Sequence, residues 1–129
     1  MAERELKRYV LDSYALIAYF GGEAGSEQIR GLLEQAIRGE CELLMSVINL
    51  GEVLYIAERE RGLPQAQKTL ARVDELPINV IDADRYLTLA AAHIKAQHPM
   101  AYADCFATAL AQTKEATLIT GGPEFKGLK

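Results

Sequence analysis

Four short apolar runs, the first three each followed by two stretches of helical periodicity, constrain this chain more than any other feature. The runs cover residues 7–12, 42–46, 78–82 and 117–120. Residues 13–20 read as a short helix stopped by Gly21 and Gly22. Ser26 is placed to cap a helix carrying Ile29, Leu32, Leu33, Ala36 and Ile37, the i, i+3, i+4, i+7, i+8 pattern of one helical face, and Gly39 ends it. Residues 47–61 are helical and closed by Gly62. Pro64 suits the first turn of the next helix, which runs to about Leu76 before Pro77. Asp82 or Asp84 can cap a helix carrying Leu87, Ala90, Ala91 and Ile94, broken by His98 and Pro99; residues 101–114 form another. Strands alternating with helices predict one α/β domain over residues 1–129, with a central parallel sheet of four or five strands and helices on both faces.

In an open sheet of this kind the carboxyl ends of the strands converge on one crevice, where ligands bind. Three acids fall on that edge. Asp12 closes the first run, Glu52 follows the second by a few residues, and Asp104 opens the last helix. Each has a structural explanation: Asp12 as a cap, Asn49 with Glu52 as a capping box, Asp104 in a first turn favoured by the helix dipole. Capping does not explain why all three share one edge. Three carboxylates without basic partners repel one another unless a cation joins them, and hard Mg²⁺ or Mn²⁺ takes carboxylate oxygens while keeping waters for chemistry.

Composition narrows the rest. A net charge of −4 argues against a nonspecific nucleic-acid coat, which would be basic. No apolar stretch reaches transmembrane length, and residues 1–8 are charged rather than signal-like, so a cytoplasmic location and no membrane partner are expected. Cys41 and Cys105 match no metal-ligand spacing and read as small buried hydrophobes. His93 and His98 lack the further donors that zinc needs and read as surface or capping residues. Arg59, Arg61, Lys126 and Lys129 read first as a solvated charged face, with Lys126 the best placed to meet a phosphate. Neither GxGxxG nor a P-loop is present. A receiver-type phosphoacceptor would want an early acidic pair, and a haloacid-type phosphatase a second Asp where Tyr14 stands.

The stretch Tyr9, Val10, Leu11, Asp12, Ser13, Tyr14, Ala15, Leu16, Ile17 resembles the opening motif of PIN-domain ribonucleases. Asn49, Leu50, Gly51, Glu52, Val53 resembles that family's second motif, and Tyr102, Ala103, Asp104, Cys105, Phe106, Ala107 its third. Leu118, Ile119, Thr120, Gly121, Gly122, Pro123, Glu124, Phe125 resembles the fourth. Order and spacing are family-like nearly end to end, and length and architecture are most similar to VapC-type toxins of toxin–antitoxin pairs.

The resemblance implies a Mg²⁺- or Mn²⁺-dependent endoribonuclease that hydrolyses RNA phosphodiesters with metal-activated water. Its metal-binding and catalytic carboxylates would be Asp12, Glu52 and Asp104. Ser13, Thr120, Gly122, Glu124 and Lys126 would support the pocket or substrate. It also implies a homodimer and a small antitoxin, with the helical pair 47–76 as part of the antitoxin or dimer surface. Two departures stand out. The fourth motif usually reads Thr-Gly-Asp-Pro, whereas Gly122 occupies the acidic place here, and the third often has Ser where Ala101 stands. Loss of that acid weakens a second metal more than a first, and Glu124 is a candidate substitute. The alternative reading is a catalytically impaired PIN fold that binds an antitoxin or RNA without cutting.

Overall fold

The computed structural model describes residues 6–121. The elements run β1 (Lys7–Leu11), α1 (Ser13–Gly21), α2 (Ser26–Ile37), β2 (Cys41–Ser46), α3 (Val47–Arg61), α4 (Leu63–Asp74), β3 (Ile78–Ile81), α5 (Arg85–Gln97), α6 (Tyr102–Thr113) and β4 (Thr117–Ile119). Among the described residues there are four strands, in the order β3-β2-β1-β4, and every pairing is parallel. The chain grows outward from β1 through β2 to β3, then returns to β4 on the other side of β1. That reversal makes the C-terminal end of the β1–β4 pair a topological switch point.

Period-two alternation in the strands decides the layers. Val10 and Leu44 face one side, where they pack with Leu87, Ala91, Phe106 and Leu110 of α5 and α6. Leu11 and Leu43 face the other, against Ala15 of α1 and Ile29 and Leu33 of α2. Leu16, Met45, Val53 and Val73 continue that second layer under α3 and α4. The sheet is therefore covered on both faces, as its apolar runs require.

Some boundaries differ from expectation and others are settled between alternatives, each for a local reason. The first strand stops at Leu11, because Asp12 turns out of the ladder to cap α1, its Oδ1 accepting from the Ala15 N–H at 2.8 Å. Ser26 is the first residue of α2 and not its cap; Gly25 holds that position with φ +92°, a left-handed conformation open to glycine, and no side chain caps the helix. Asn49 does not cap α3. Ser46 does, its Oγ accepting from the Ile48 N–H at 3.1 Å, so Glu52 stands a full turn inside the helix. Asp84 caps α5, accepting from the Leu87 N–H at 2.8 Å. Ala101 leaves α6 without a side-chain cap.

Cys41 and Cys105 are free and buried, and burial pushes both thiols above their ordinary pKa. Both therefore behave as small core residues rather than nucleophiles. His93 and His98 are exposed. No helix among the described residues is long and apolar enough to cross a membrane.

Candidate functional site

Three helix starts meet at the switch point, and each carries an acid. Asp12 lies between β1 and α1, its backbone N–H donating to the Ile119 carbonyl at 3.1 Å and so joining the ends of β1 and β4. Glu52 sits in the second turn of α3, and Asp104 in the first turn of α6. The structure thus brings together the three acids that the sequence places on one sheet edge. Ser13, at the start of α1, is buried among them.

Asp12 is wholly buried. Loss of hydration drives its pKa up, and the negative charges of Asp104 and Glu52 add to that effect. The Ala15 N–H and the Gly121 backbone oppose it, and the net result is a carboxyl pushed up to about 7. Oδ2 of Asp12 and Oε1 of Glu52 are buried and have no hydrogen-bond partner among the described residues. The other Glu52 oxygen accepts from the Tyr55 hydroxyl at 3.5 Å.

Asp12, Glu52 and Asp104 are near enough to repel. As their side chains stand, however, no three His, Cys, Asp or Glu among the described residues form a ready group for a metal ion. The donor set nevertheless fits a hard cation: the acids supply only oxygens, and two buried carboxylate oxygens have no other partner among the described residues. Asp12, Glu52 and Asp104 are the residues that would hold it, and their side chains would have to turn toward one another to do so.

Asn49 is the functional candidate that the sequence reading passed over as a cap. It is fully buried, and its Nδ2 donates both to Ser13 Oγ at 3.0 Å and to the Ala103 carbonyl at 3.1 Å. The signal is the helix already read from residue 47, which gives the cap to Ser46 and leaves Asn49 one turn before Glu52 on the same helix. Tyr55 was also missed. Its ring is covered by the Arg59 guanidinium at 5.1 Å, which occupies a cation first read as a solvated charge.

The remaining candidates divide. Thr120 is half-buried and lines a cavity of about 530 Å³ with Ile94, Met100 and Leu118, a mostly apolar setting. Gly122, Glu124, Lys126 and Lys129 lie outside the described residues. Gly121 lies within them and has a steric role: a Cβ built on it would stand 2.4 Å from the Tyr14 carbonyl oxygen and 2.7 Å from Ala15 Cα. Both obstacles are backbone at the start of α1. Gly121→Ala is accordingly expected to push the end of β4 off Asp12 at a cost of about 1–3 kcal/mol, the usual range for overpacking. Thermal unfolding of the variant checks this, and a stability equal to the parent's would refute it.

The comparisons with known proteins fit this geometry. No curated protein sequence matches the chain significantly. A solved structure of VapBC2 from Rickettsia felis, bound to a DNA fragment from its promoter, contains a chain of similar fold. It is 19% identical with a TM-score of 0.71, covering 92% of this chain and 91% of that one. Mycobacterium tuberculosis VapC20, a toxin that cleaves the sarcin–ricin loop, is 16% identical with a TM-score of 0.67, covering 95% of each chain. A DNA-bound VapBC from Salmonella typhimurium is 19% identical with a TM-score of 0.64, covering 90% of this chain and 86% of that one. At such identities these structures speak to fold alone, but the PIN domain family model matches residues 9–129. Matched by that model over almost its whole length, the chain belongs to the PIN domain family.

Proposed function

We propose that this protein is a metal-dependent endoribonuclease of the VapC toxin type. The observation that carries the reading is the pair of buried carboxylate oxygens on Asp12 and Glu52 that have no hydrogen-bond partner among the described residues, beside Asp104, at the switch point of a parallel sheet. Asp12, Glu52 and Asp104 would hold Mg²⁺ or Mn²⁺, which supplies Lewis acidity and a lowered pKa for water. The chain's own part is to bind and to orient. Asp12 is held by the α1 N-terminus, so its free oxygen has one fixed direction. The acids repel a phosphodiester in the absence of a cation, so RNA binding in the crevice depends on charge neutralisation.

VapC20 is described as cleaving the sarcin–ricin loop, a structured RNA, and that precedent supports RNA as the substrate class here. The VapBC structures, and a toxin–antitoxin complex from Klebsiella pneumoniae, support a small antitoxin as partner. The α3–α4 pair is its proposed docking region, with Tyr55, Leu63 and Leu70 exposed along it. Homodimerisation and a cytoplasmic location belong to the same reading.

A second reading rests on Gly122, which stands where the family's fourth motif usually has Asp. On that reading the protein binds RNA or antitoxin without cutting. One experiment separates the two: cleavage of a panel of structured RNAs with Mg²⁺ and then Mn²⁺, comparing the parent, Asp12→Ala and Gly122→Asp. Cutting by the parent and not by Asp12→Ala supports the nuclease. Cutting by Gly122→Asp alone supports a disarmed binding module, and failure of all three counts against the enzyme.

A further inference from the structure

The geometry points to Asn49 as a positioning residue that sets the spacing of the three acids and thereby the affinity for a divalent cation. The inference rests on the metal-site reading above and adds a residue that touches no ion itself.

Its side chain reaches every segment that carries an acid. Nδ2 donates at 3.0 Å to Oγ of Ser13, the neighbour of Asp12, and at 3.1 Å to the carbonyl of Ala103, the neighbour of Asp104. Asn49 itself stands three residues before Glu52 on α3. Ser13 Oγ in turn donates to the Asn49 carbonyl at 3.2 Å, which commits its proton and leaves a lone pair for Nδ2. One amide therefore clamps the starts of α1, α3 and α6 together.

The amide's orientation follows from its partners. A carbonyl only accepts, so the nitrogen must face Ala103; the reverse setting would oppose two oxygens. Oδ1 is then turned away, buried and without a partner among the described residues. That is not the arrangement stability alone would favour, because it leaves a buried acceptor unsatisfied. Nor is Asn49 needed as a cap, since Ser46 fills that role. What remains for the donor bonds to do is hold three backbones in register while the carboxylates they carry repel one another. Partners that orient ligands in this way typically govern metal affinity by 10–100-fold.

The test is calorimetric titration of the full chain with Mn²⁺, without RNA, alongside thermal unfolding. Asn49→Leu keeps the branched shape, although its methyls are bulkier, and removes the clamp; it is expected to weaken Mn²⁺ binding by about 10–100-fold. Ser13→Ala cuts one arm and should weaken binding as well. The double variant should bind within about twofold of Asn49→Leu, because the two side chains act as one unit. Ser46→Ala removes the cap of the same helix and leaves the clamp intact; it should lower the Tm yet keep Mn²⁺ affinity within about twofold of the parent. Asn49→Leu and Ser13→Ala that melt earlier but bind Mn²⁺ like the parent would make the network purely structural and overturn the proposal. If Asn49→Leu does not fold, Ser13→Ala set against Ser46→Ala decides it. A parent that binds no Mn²⁺ would bring down the metal-site reading and this inference together, an outcome distinct from a parent that binds with variants that match it.

Discussion

Asp12→Asn is expected to give a protein that no longer cuts RNA and that, free of metal, is more stable than the parent at pH 8. The loss of cleavage follows from removing a wholly buried carboxylate that its cap bond to Ala15 holds in place; on the order of 10³-fold or more is expected, since loss of a single oxyanion-hole donor already costs about 10²–10³ in other enzymes. The gain in stability follows from linkage. Asp12 has a folded-state pKa of about 7 against an ordinary value of 3.8, so the folded chain holds a proton that the unfolded chain has released. The parent therefore has its full stability below about pH 4, loses it progressively as pH rises, and reaches the full deficit once pH passes 7. A shift of this size corresponds to on the order of 4 kcal/mol at most. Asn keeps the acceptor for the Ala15 N–H and carries no charge to desolvate. Its advantage should be absent near pH 4, grow between pH 4 and 7, and level off above. Urea unfolding of both proteins in a chelating buffer at pH 4.5 and 8 tests this, and equal stabilities at pH 8 would show that Asp12 is not destabilising in the folded state.

The second large effect is the response to metal. With Mn²⁺ at about 100 times its Kd at pH 8, the parent should gain about 2.7 kcal/mol, or roughly 10 °C in Tm for a domain of this size. At pH 5.5 Asp12 is mostly protonated and must release that proton before it can ligate. At the same total Mn²⁺ the gain should then drop to about 0.9 kcal/mol, because only roughly one molecule in thirty has the anion ready. Glu52 and Asp104 face the same crevice, and their charge is part of what holds the Asp12 proton on. Asp12→Asn should show little shift at either pH. A thermal-shift series over Mn²⁺ and pH is sufficient, and a shift of the same size at both pH values in the parent would place the ion elsewhere.

Much of this architecture is legible in the chain because local and tertiary forces agree there. The pairs Val10/Leu11 and Leu43/Leu44 send adjacent side chains to opposite faces of a sheet, so a covered parallel sheet is the only economical way to bury both. The face of α2 is legible for the same reason at Ile29, Leu32 and Leu33, which the structure buries, but not at Ile37, which the last turn of the helix leaves exposed. Caps are less legible where two polar residues compete. Ser46 and Asn49 both suit the start of α3, and the choice depends on where β2 releases the chain; Gly25 displaces Ser26 because only a residue tolerant of φ +92° fits there.

The site divides along the same line. That Asp12, Glu52 and Asp104 lie on one sheet edge was determined by the sequence, because each follows a strand or opens a helix and strand direction then does the rest. What only the tertiary structure decided is how those acids are held. Burial of Asp12, the partnerless oxygens, the Asn49 bridge between Ser13 and Ala103, and the fit of Gly121 against Tyr14 all join residues far apart in the chain. Periodicity reports which way a side chain faces relative to its own element. Hydrogen bonds and desolvation depend on which other elements arrive beside it, and that is settled when the helix starts converge.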